Sequence, residues 1–371
     1  MKFLDLFAGI GGFRLGMEQA GHKCVGFVEW DKYARKSYEA IHETEGEWTW
    51  YDISTIDYRD IPRADCWTFG FPCQDISIGG EQKGFDGERS SLFFAVTKRL
   101  RQIKEWDTEK MPTYLLIENV KNFLSVNSGW DFLKAQIELD EVGYNLEWQV
   151  LNSRDFGVPQ NRERVFIVGH LRGRSTRKVF PIGGTNEASN LPIEIIAHRE
   201  GYRRNTQVFS PNGITEALDT GQGGGRGHYT ITMNRNEIKG PTDTSHCLMA
   251  RDYKGIGNQD MAAVLIKEAT NQGFDVATKG DSINLAVPGS KTRRGRVGKG
   301  VANTLDTSCN QGVLEGYRIR KLTPRECWRL QGFPDWAFDK AKEVNSDSQL
   351  YKQAGNSVTV NVIYEIAKRL G

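Results

Sequence analysis

Short, nearly continuous apolar runs alternate with longer amphipathic segments over residues 1–170. The runs predicted to form strands are KFLDLF, CVGFVEW, DCWTFGF, YLLIENV, NLEWQVLN and RVFIVGH. Apolar residues at helical spacing separate several of them, as in SLFFAVTKRLRQIK and WDFLKAQIELDEVG. Apolar strands that alternate with helices are typical of a sheet covered on both faces. The pattern therefore predicts an α/β fold with a doubly wound, mainly parallel sheet, whose ligands bind beyond the carboxyl ends of the strands.

The pattern changes at about residue 180, where helical periodicity fades and Gly, Asn, Thr and Arg dominate. Three segments, 216–224, 246–255 and 303–312, each contain a leucine followed by a polar, glycine-containing stretch. Repeated strand–loop units explain this weak similarity, and so does chance in a biased composition. The final stretch, SVTVNVIYEIAKRL, has apolar residues at helical spacing, which predicts a C-terminal amphipathic helix that packs back on the core.

The composition excludes several classes of protein. The 371 residues are 38% apolar and 11% aromatic, as in globular rather than disordered chains. No run of about 18 apolar residues is present, so no transmembrane helix is predicted. The segment MKFLDLFAGIGG lacks the order of a secretory signal. We therefore expect a cytoplasmic protein that does not contact membranes.

The spacing of the cysteines and the distribution of charge limit the kinds of site that the chain is expected to contain. No Cys/His cluster has metal-ligand spacing, so we expect no metal and no disulfide framework. The net charge is +2, but residues 171–316 carry 19 Lys and Arg against 14 Asp and Glu. This basic excess suits a region that contacts phosphates, and it equally suits a solvated surface. The six cysteines are Cys24, Cys66, Cys73, Cys247, Cys309 and Cys327.

A glycine-rich turn, residues 5–12 (DLFAGIGG), directly follows the first predicted strand. Its glycines allow the backbone to turn tightly and to approach a ligand closely. The second strand ends at Glu29 and Trp30, the position where such folds place an acid on ribose hydroxyls. Trp30 is suited to stack on adenine, with a core aromatic residue as the alternative. Asp52 is a candidate acceptor for an exocyclic amine.

Two strand ends carry candidate catalytic groups. Cys73 lies just past the strand DCWTFGF, in a loop where a thiolate is able to act as a nucleophile. The polar residues 77–90 beyond it suit a lid that closes over a substrate. Glu118 ends the strand YLLIENV, where a buried carboxylate is costly unless it is paired or takes part in chemistry. A buried structural thiol is the alternative for Cys73.

Arg162 and Arg164 precede the strand VFIVG with one residue between them. Side chains at this spacing point to the same side of an extended chain. Guanidinium groups placed in this way suit a clamp on a base oxygen or a phosphate. Salt-bridged surface residues are the alternative here, as they are for Glu118.

Seven motifs in this order resemble the cytosine-5 DNA methyltransferase family: DLFAGIGGFRLG, VEWD, GFPCQ, ENV, QNRERVF, RKLTPRECWRLQGFP and QAGNSV. They lie in residues 1–170 and 317–371. The resemblance implies the S-adenosylmethionine-dependent methyltransferase fold with a smaller, irregular β-rich recognition domain. It implies a catalytic domain of residues 1–179 plus 346–371 and a target-recognition domain of residues 180–345.

The resemblance also implies a role for individual residues. Cys73 would attack carbon 6 of cytosine, so that carbon 5 accepts a methyl group from S-adenosylmethionine. Glu118 would engage N3 and the amino group of the base, and Arg164 its carbonyl oxygen. Arg162 would order the site or touch phosphate. The residues implied to surround the cofactor are Phe7, Gly9, Gly11, Glu29, Trp30, Asp52, Ile53, Pro72, Asn356 and Val358.

The implied substrate is double-stranded DNA with its target cytosine flipped out of the helix. Base edges and phosphates are read by polar and basic side chains. A restriction endonuclease that acts on the same sites, without direct contact, is the other partner expected, and we expect a monomer. The candidate DNA-binding residues are Ser77, Gln82, Arg89, Arg203, Arg204, Arg226, Arg235, Arg251, Lys291, Arg293, Arg294 and Arg296.

Three other functions were weighed against this one. An RNA cytosine methyltransferase would use the same scaffold, although the large basic middle region suits duplex DNA better. A DNA-binding regulator without catalysis would keep the fold, although each expected catalytic residue type is present. A nicotinamide dehydrogenase is disfavoured because the glycine pattern differs from GxGxxG.

Overall fold

The computed structural model describes most of the predicted catalytic domain and part of the middle region. The described residues are 1–71, 91–184, 195–198, 207–209, 263–287, 290, 292–315 and 318–371.

Seven strands form the main sheet, in the order β3-β2-β1-β4-β5-β8-β6. Strands β1 to β5 are parallel to their neighbours, whereas β8 lies antiparallel between β5 and β6. This confirms the predicted doubly wound, mainly parallel sheet. The first eight strands of the described chain are β1 (Lys2–Leu6), β2 (Lys23–Val28), β3 (Trp48–Trp50), β4 (Cys66–Gly70), β5 (Tyr114–Val120), β6 (Tyr144–Asn152), β7 (Gln160–Asn161) and β8 (Glu163–Leu171).

Helices cover both faces of this sheet. On one face, α1 and α8 pack in a core with Phe3 and Phe166, and on the other, α3 and α4 pack with Leu4 and Ile117. The predicted C-terminal helix is confirmed as α8. The helices of the described residues are α1 (Gly12–Gln19), α2 (Lys32–Ile41), α3 (Ser91–Trp106), α4 (Trp130–Val142), α5 (Pro324–Leu330), α6 (Asp335–Val344), α7 (Asp347–Asn356) and α8 (Val360–Ala367).

Local sequence fixes where several helices begin. The Asp31 side chain accepts hydrogen bonds from two backbone N–H groups at the start of α2. At α5, Thr323 and Glu326 form a capping box and Pro324 occupies the first turn. Such caps satisfy N–H groups that have no partner within the helix.

Smaller antiparallel sheets make up the described part of the middle region. One has four strands in the order β14-β13-β16-β17, and two are pairs, β9 with β10 and β11 with β12. β15 pairs with β7 and so attaches this region to the segment before β8. These elements agree with the predicted β-rich region, whereas its boundaries stay a prediction. The strands are β9 (Ile195–His198), β10 (Gln207–Phe209), β11 (Ala263–Lys267), β12 (Phe274–Thr278), β13 (Ser282–Asn284), β14 (Val297–Gly298), β15 (Ala302–Asn303), β16 (Gln311–Glu315) and β17 (Arg318–Lys321).

The strand order reverses between β1 and β4. From β1 the chain adds β2 and β3 on one side, and then crosses to place β4 and β5 on the other. In sheets of this type the connections that leave such a point diverge and open a crevice at the carboxyl ends of the strands. The topology therefore places a ligand site beyond β1 and β4.

Candidate active site

A cleft of about 510 Å³ opens at this edge of the sheet. Its walls are the glycine-rich turn after β1, the residues after β2, the ends of β4 and β5, and the end of α7. Nine of the predicted site residues line it together, although they come from five separate parts of the chain. They are Phe7, Gly9, Glu29, Trp30, Glu118, Arg162, Arg164, Asn356 and Val358.

Three other predicted cofactor residues are described but are not among the residues that line the cleft. Gly11 precedes α1 with φ of +84°, and an added Cβ there would lie 2.0 Å from Nε2 of His42. The Asp52 carboxylate accepts a hydrogen bond from the N–H of Ser54 at 2.8 Å and so caps a short helical turn. Ile53 is buried in the core between the sheet and α3.

Several predicted positions lie outside the described residues. They are Pro72, Cys73, Ser77, Gln82, Arg89, Arg203, Arg204, Arg226, Arg235, Arg251 and Lys291.

Three candidate DNA-binding arginines are described, and each bonds to backbone of its own region. Nη1 of Arg293 donates to the carbonyl of Ala286 at 3.4 Å, and Nε of Arg294 donates to that of Ala269 at 2.9 Å. Arg296 is buried and donates to the carbonyl of Val287. Of the three, Arg294 is exposed and is the best placed to reach a ligand.

A hydrogen bond joins the glycine-rich turn to Glu29, the acid that follows β2. The N–H groups of Gly9 and Asp31 each donate to a different oxygen of Glu29, both at 2.7 Å. Burial raises the pKa of Glu29, although these two hydrogen bonds oppose the shift. Trp30 stands beside it and is 61% exposed. The cleft therefore holds a fixed carboxyl group next to an accessible indole ring.

Asp5 stabilises the sheet next to the same turn. Thr68 donates to one oxygen of its carboxyl group at 3.0 Å, and the hydroxyl of Tyr38 donates to the other at 3.4 Å. Burial raises the pKa of Asp5 to about 8, so the group is mainly neutral at pH 7. It links β1, β4 and α2, a role that the sequence pattern did not indicate.

Glu118 and Arg164 form an ion pair at the end of β5. Nε of Arg164 lies 3.0 Å from Oε1 of Glu118, and both side chains are 15% exposed. The other oxygen of Glu118 lies over the end of β4, 3.0 Å from where a Cβ on Gly70 would be. This arrangement orients a carboxylate and a guanidinium toward the end of β4, whose last residue, Gly70, precedes Cys73 by three positions in the sequence.

Arg162 holds three segments of the chain together. Its guanidinium donates to the carbonyls of Leu305, Gly355 and Ser357 at 3.2, 3.1 and 2.8 Å. It is 3% exposed, although it contributes to the lining of the cleft. These contacts support an ordering role for Arg162, one of the two roles that the resemblance implies.

Replacing Arg162 by leucine is expected to lower the free energy of unfolding by about 3 kcal/mol, because three buried carbonyls lose a charged donor. Urea unfolding followed by circular dichroism measures the change. Arg172→Leu is the matched control, since Arg172 pairs with Asp140 on the surface and should change stability by less than about 0.5 kcal/mol. Equal losses for the two variants would contradict this account.

Several residues that line the cleft had no predicted role, among them Asn119, Lys352 and Gln353. Asn119 donates from its side chain to the carbonyl of Phe71 at 3.5 Å. Lys352 and Gln353 line the opposite side, from α7. Asn119 and Gln353 lie inside the motifs ENV and QAGNSV, so their positions were available in the sequence, but Lys352 lies outside every motif.

The described residues lack the features of two other kinds of protein. They contain no group of three or more His, Cys, Asp or Glu side chains able to hold a metal ion. Among them, no helix combines the length and apolar character that a membrane span requires. Their cysteines, Cys24, Cys66, Cys309 and Cys327, are free and buried.

The sheet order, the glycine-rich turn after β1 and the acid after β2 define the fold of the S-adenosylmethionine-dependent methyltransferases. A solved structure, the methyltransferase EhMeth of Entamoeba histolytica, superposes with a TM-score of 0.55 at 16% identity, covering 98% of this chain and 96% of that one. This likeness supports the fold, and the predicted fold class is confirmed.

The family model described as C-5 cytosine-specific DNA methylase matches residues 1–371. Type II methyltransferase M.HhaI of Haemophilus parahaemolyticus is 33% identical over 374 residues, which span 100% of this chain and 94% of that protein. Orphan methyltransferase M.SPRI of Bacillus phage SPR is 29% identical over 445 residues, covering 100% and 97%. The chain therefore belongs to the C-5 cytosine-specific DNA methylases, which confirms the predicted family and the predicted class of enzyme.

Proposed function

We propose that this protein transfers a methyl group from S-adenosylmethionine to carbon 5 of a flipped-out cytosine in specific duplex DNA sequences, through a covalent bond between Cys73 and carbon 6. The observation that carries the proposal is the common cleft. It brings the Glu118–Arg164 pair to the same cavity as Gly9 and Glu29. One end of the cleft thus suits a nucleoside-type cofactor, and the other suits a polar heterocycle.

The residues around the glycine-rich turn fit S-adenosylmethionine. A Cβ added to Gly9 would meet no atom of the described residues within 4 Å, so the backbone there is open to a ligand. Glu29 is held by two N–H groups and is suited to accept from ribose hydroxyls. Trp30 offers an exposed face for adenine. The bound cofactor supplies an electrophilic methyl group on a sulfonium centre.

Replacement of Gly9 and replacement of Gly11 by alanine should have different effects on the protein. Gly9→Ala places a methyl group in the wall of the cleft and should weaken S-adenosylmethionine binding, with a stability loss of about 1 kcal/mol from its positive φ. Gly11→Ala drives a methyl group into His42 and should lower the free energy of unfolding by about 3 kcal/mol.

Calorimetric titration with S-adenosylmethionine and urea unfolding separate these two effects. Each variant acts as the control for the other, because both positions have positive φ but only Gly9 lines the cleft. If Gly11→Ala proved the more stable of the two, the placement of His42 behind the turn would be incorrect.

The proposed chemistry begins with attack on the ring. The Cys73 thiolate adds to carbon 6, the C5=C6 electron pair moves to form a C4=C5 bond, and the C4=N3 pair moves to N3. Glu118, which takes up a proton from solvent when the base binds beside it, passes that proton to N3. Arg164 holds the carbonyl oxygen of the base and keeps Glu118 oriented. Carbon 5 is then enamine-like, and its electron pair would form the bond to the methyl group as the bond from that methyl group to sulfur breaks and S-adenosylhomocysteine leaves. Loss of the proton from carbon 5 to solvent and expulsion of the thiolate restore the aromatic bond, while N3 returns its proton.

Carbon 6 is hidden within a stacked duplex, so the base must leave the helix at a cost of a few kcal/mol. Contacts from the basic middle region to phosphates and base edges are proposed to offset this cost. The same reasoning favours duplex DNA over RNA. We propose that the enzyme works as a monomer in the cytoplasm, on sites shared with a restriction endonuclease that it does not contact.

Incubation with S-adenosylmethionine and plasmid DNA, followed by bisulfite sequencing, tests the reaction and reveals the target. The proposal predicts 5-methylcytosine at every copy of one or more short sequences and at no other cytosines. A parallel incubation with total RNA should give no methylation. Methylated RNA with unmethylated plasmid would overturn the choice of substrate, and no methyl transfer to either would support the catalytically silent regulator.

A further inference from the structure

Lys352 and Asp31 form an ion pair at the edge of the cleft. Nζ of Lys352 lies 2.7 Å from Oδ2 of Asp31, with side-chain exposures of 46% and 26%. Both residues line the cleft, Lys352 from α7 and Asp31 from the start of α2. This pair, called here the rim pair, joins two helices that lie more than 300 residues apart in the chain.

Asp31 connects Lys352 to the residue proposed to hold ribose. Its Oδ1 accepts from the N–H groups of Tyr33 and Ala34 at 2.8 and 3.3 Å, which leaves Oδ2 for Lys352. Its own N–H donates to Oε1 of Glu29 at 2.7 Å. Although partial burial opposes it, the hydrogen bond from Lys352 helps to lower the pKa of Asp31, so the Asp31 side chain is a carboxylate at neutral pH.

Other contacts between α2 and the C-terminal helices lie deeper. Gln353, which is buried, donates to the carbonyl of Tyr33 at 3.0 Å and accepts from Ser37 at 3.0 Å. Asn345 bonds to the same two residues, each at 2.9 Å. Neutral hydrogen bonds thus hold α2 against the C-terminal helices, and the rim pair adds a charged contact between them at the edge of the cleft.

We propose that the rim pair controls how fast the cofactor leaves the cleft, with Lys352 as a positioning residue that acts through Asp31 on Glu29. This inference rests on the proposed function, in which S-adenosylmethionine occupies this cleft. Breaking the pair removes the charged contact between α7 and the cap of α2, although the hydrogen bonds of Gln353 remain, and it loosens the residue that anchors Glu29. Both changes favour release.

The distance between the rim pair and the proposed catalytic residues separates its effect on cofactor release from the methyl-transfer step. Asp31 follows β2 and Glu118 lies near the end of β5, and these strands are three places apart in the sheet. At a spacing of about 4.8 Å per strand, the two ends are about 14 Å apart. The effect should therefore fall on the KM for S-adenosylmethionine rather than on kcat.

The test is the rate at which S-adenosylmethionine and S-adenosylhomocysteine leave the full-length enzyme, measured by stopped-flow displacement. Lys352→Gln and Asp31→Asn each remove the ion pair, and asparagine keeps the cap of α2. Each should raise the dissociation rate about three- to fivefold, as expected for a partly exposed pair. Lys352→Arg should restore the slow rate.

Two further readouts distinguish the rim pair from general loosening of the fold. The double variant Lys352→Gln/Asp31→Asn should be no faster than either single variant, because both remove one interaction. Added salt should speed release from the wild type and not from the variants. Lys368→Gln is the matched control, since it removes a 2.7 Å pair with Glu365 on α8 that is remote from the cleft.

Unchanged dissociation rates in both single variants, or rates that multiply in the double variant, would overturn the inference. So would a failure of Lys352→Arg to restore slow release. These outcomes differ from failure of the proposed function, in which the wild-type protein itself would bind no S-adenosylmethionine in equilibrium dialysis.

Discussion

Cys73→Ala is expected to lower the rate of methyl transfer to DNA by more than about 10,000-fold, because the variant has no group to add to carbon 6. Without that addition, carbon 5 remains part of an aromatic ring and is a poor acceptor for a methyl cation equivalent. Cys73 follows the end of β4 by three residues, and Phe71 of the same segment lines the cleft beside Glu118. A single-turnover assay with tritiated S-adenosylmethionine measures the loss.

Cys24→Ala is the control for this loss. Burial raises the pKa of the Cys24 thiol to about 12, so it supplies no thiolate at the pH of the assay. This variant should keep its activity, and Cys73→Ala should still bind S-adenosylmethionine as the wild type does. Methyl transfer that survives in Cys73→Ala would require a mechanism without a nucleophilic cysteine.

Glu118→Gln is expected to slow methyl transfer by about 100- to 10,000-fold, the range of general acid–base catalysis. The amide keeps the size of the side chain and an oxygen for Arg164, now 3.0 Å from the carboxylate, so the wall of the cleft should stay in place. What it loses is the proton for N3 as the thiolate adds to the ring. The single-turnover rate at saturating S-adenosylmethionine isolates this step.

Glu163→Gln is the matched control, because it makes the same substitution at a residue that has no proposed catalytic role. Glu163 lies on β8 and forms an ion pair at 2.9 Å with Lys121, the residue after β5. Glu163 is 45% exposed and is not among the residues that line the cleft. Its rate should match that of the wild type. If Glu118→Gln were as active as Glu163→Gln, Glu118 would serve to hold Arg164 and not to protonate the base.

The sequence predicted most strands of the main sheet because a buried strand is a short run of apolar residues, which can be recognised without knowing its neighbours. Runs such as KFLDL and YLLIENV are apolar on both faces, and the structure buries them between two layers of helices. Strand order was not predictable in the same way. The insertion of β8 between β5 and β6 depends on which edges meet, and no periodicity in β8 encodes its neighbours. The three-residue β3 was too short to give a pattern.

The candidate site likewise contains residues that local sequence predicts and residues whose contacts it does not predict. Glu29 and Glu118 were predictable because each lies at or near the end of a strand, and ends of parallel strands meet at one edge of a sheet. The contacts of Arg162 were not, because its acceptors are 143 to 195 residues away in the chain. Lys352 could not be assigned from sequence for the same reason, since its partner Asp31 is 321 residues distant.

The most direct measurement of the central claim is covalent trapping on duplex DNA that carries 5-fluorocytosine at the target base. Fluorine at carbon 5 cannot leave as a proton does, so the methylated ring cannot expel the enzyme. With S-adenosylmethionine present, the account predicts a stable protein–DNA complex whose cross-linked peptide contains Cys73. Methylation of normal DNA by a protein that forms no such complex, or a cross-link at another residue, would contradict it.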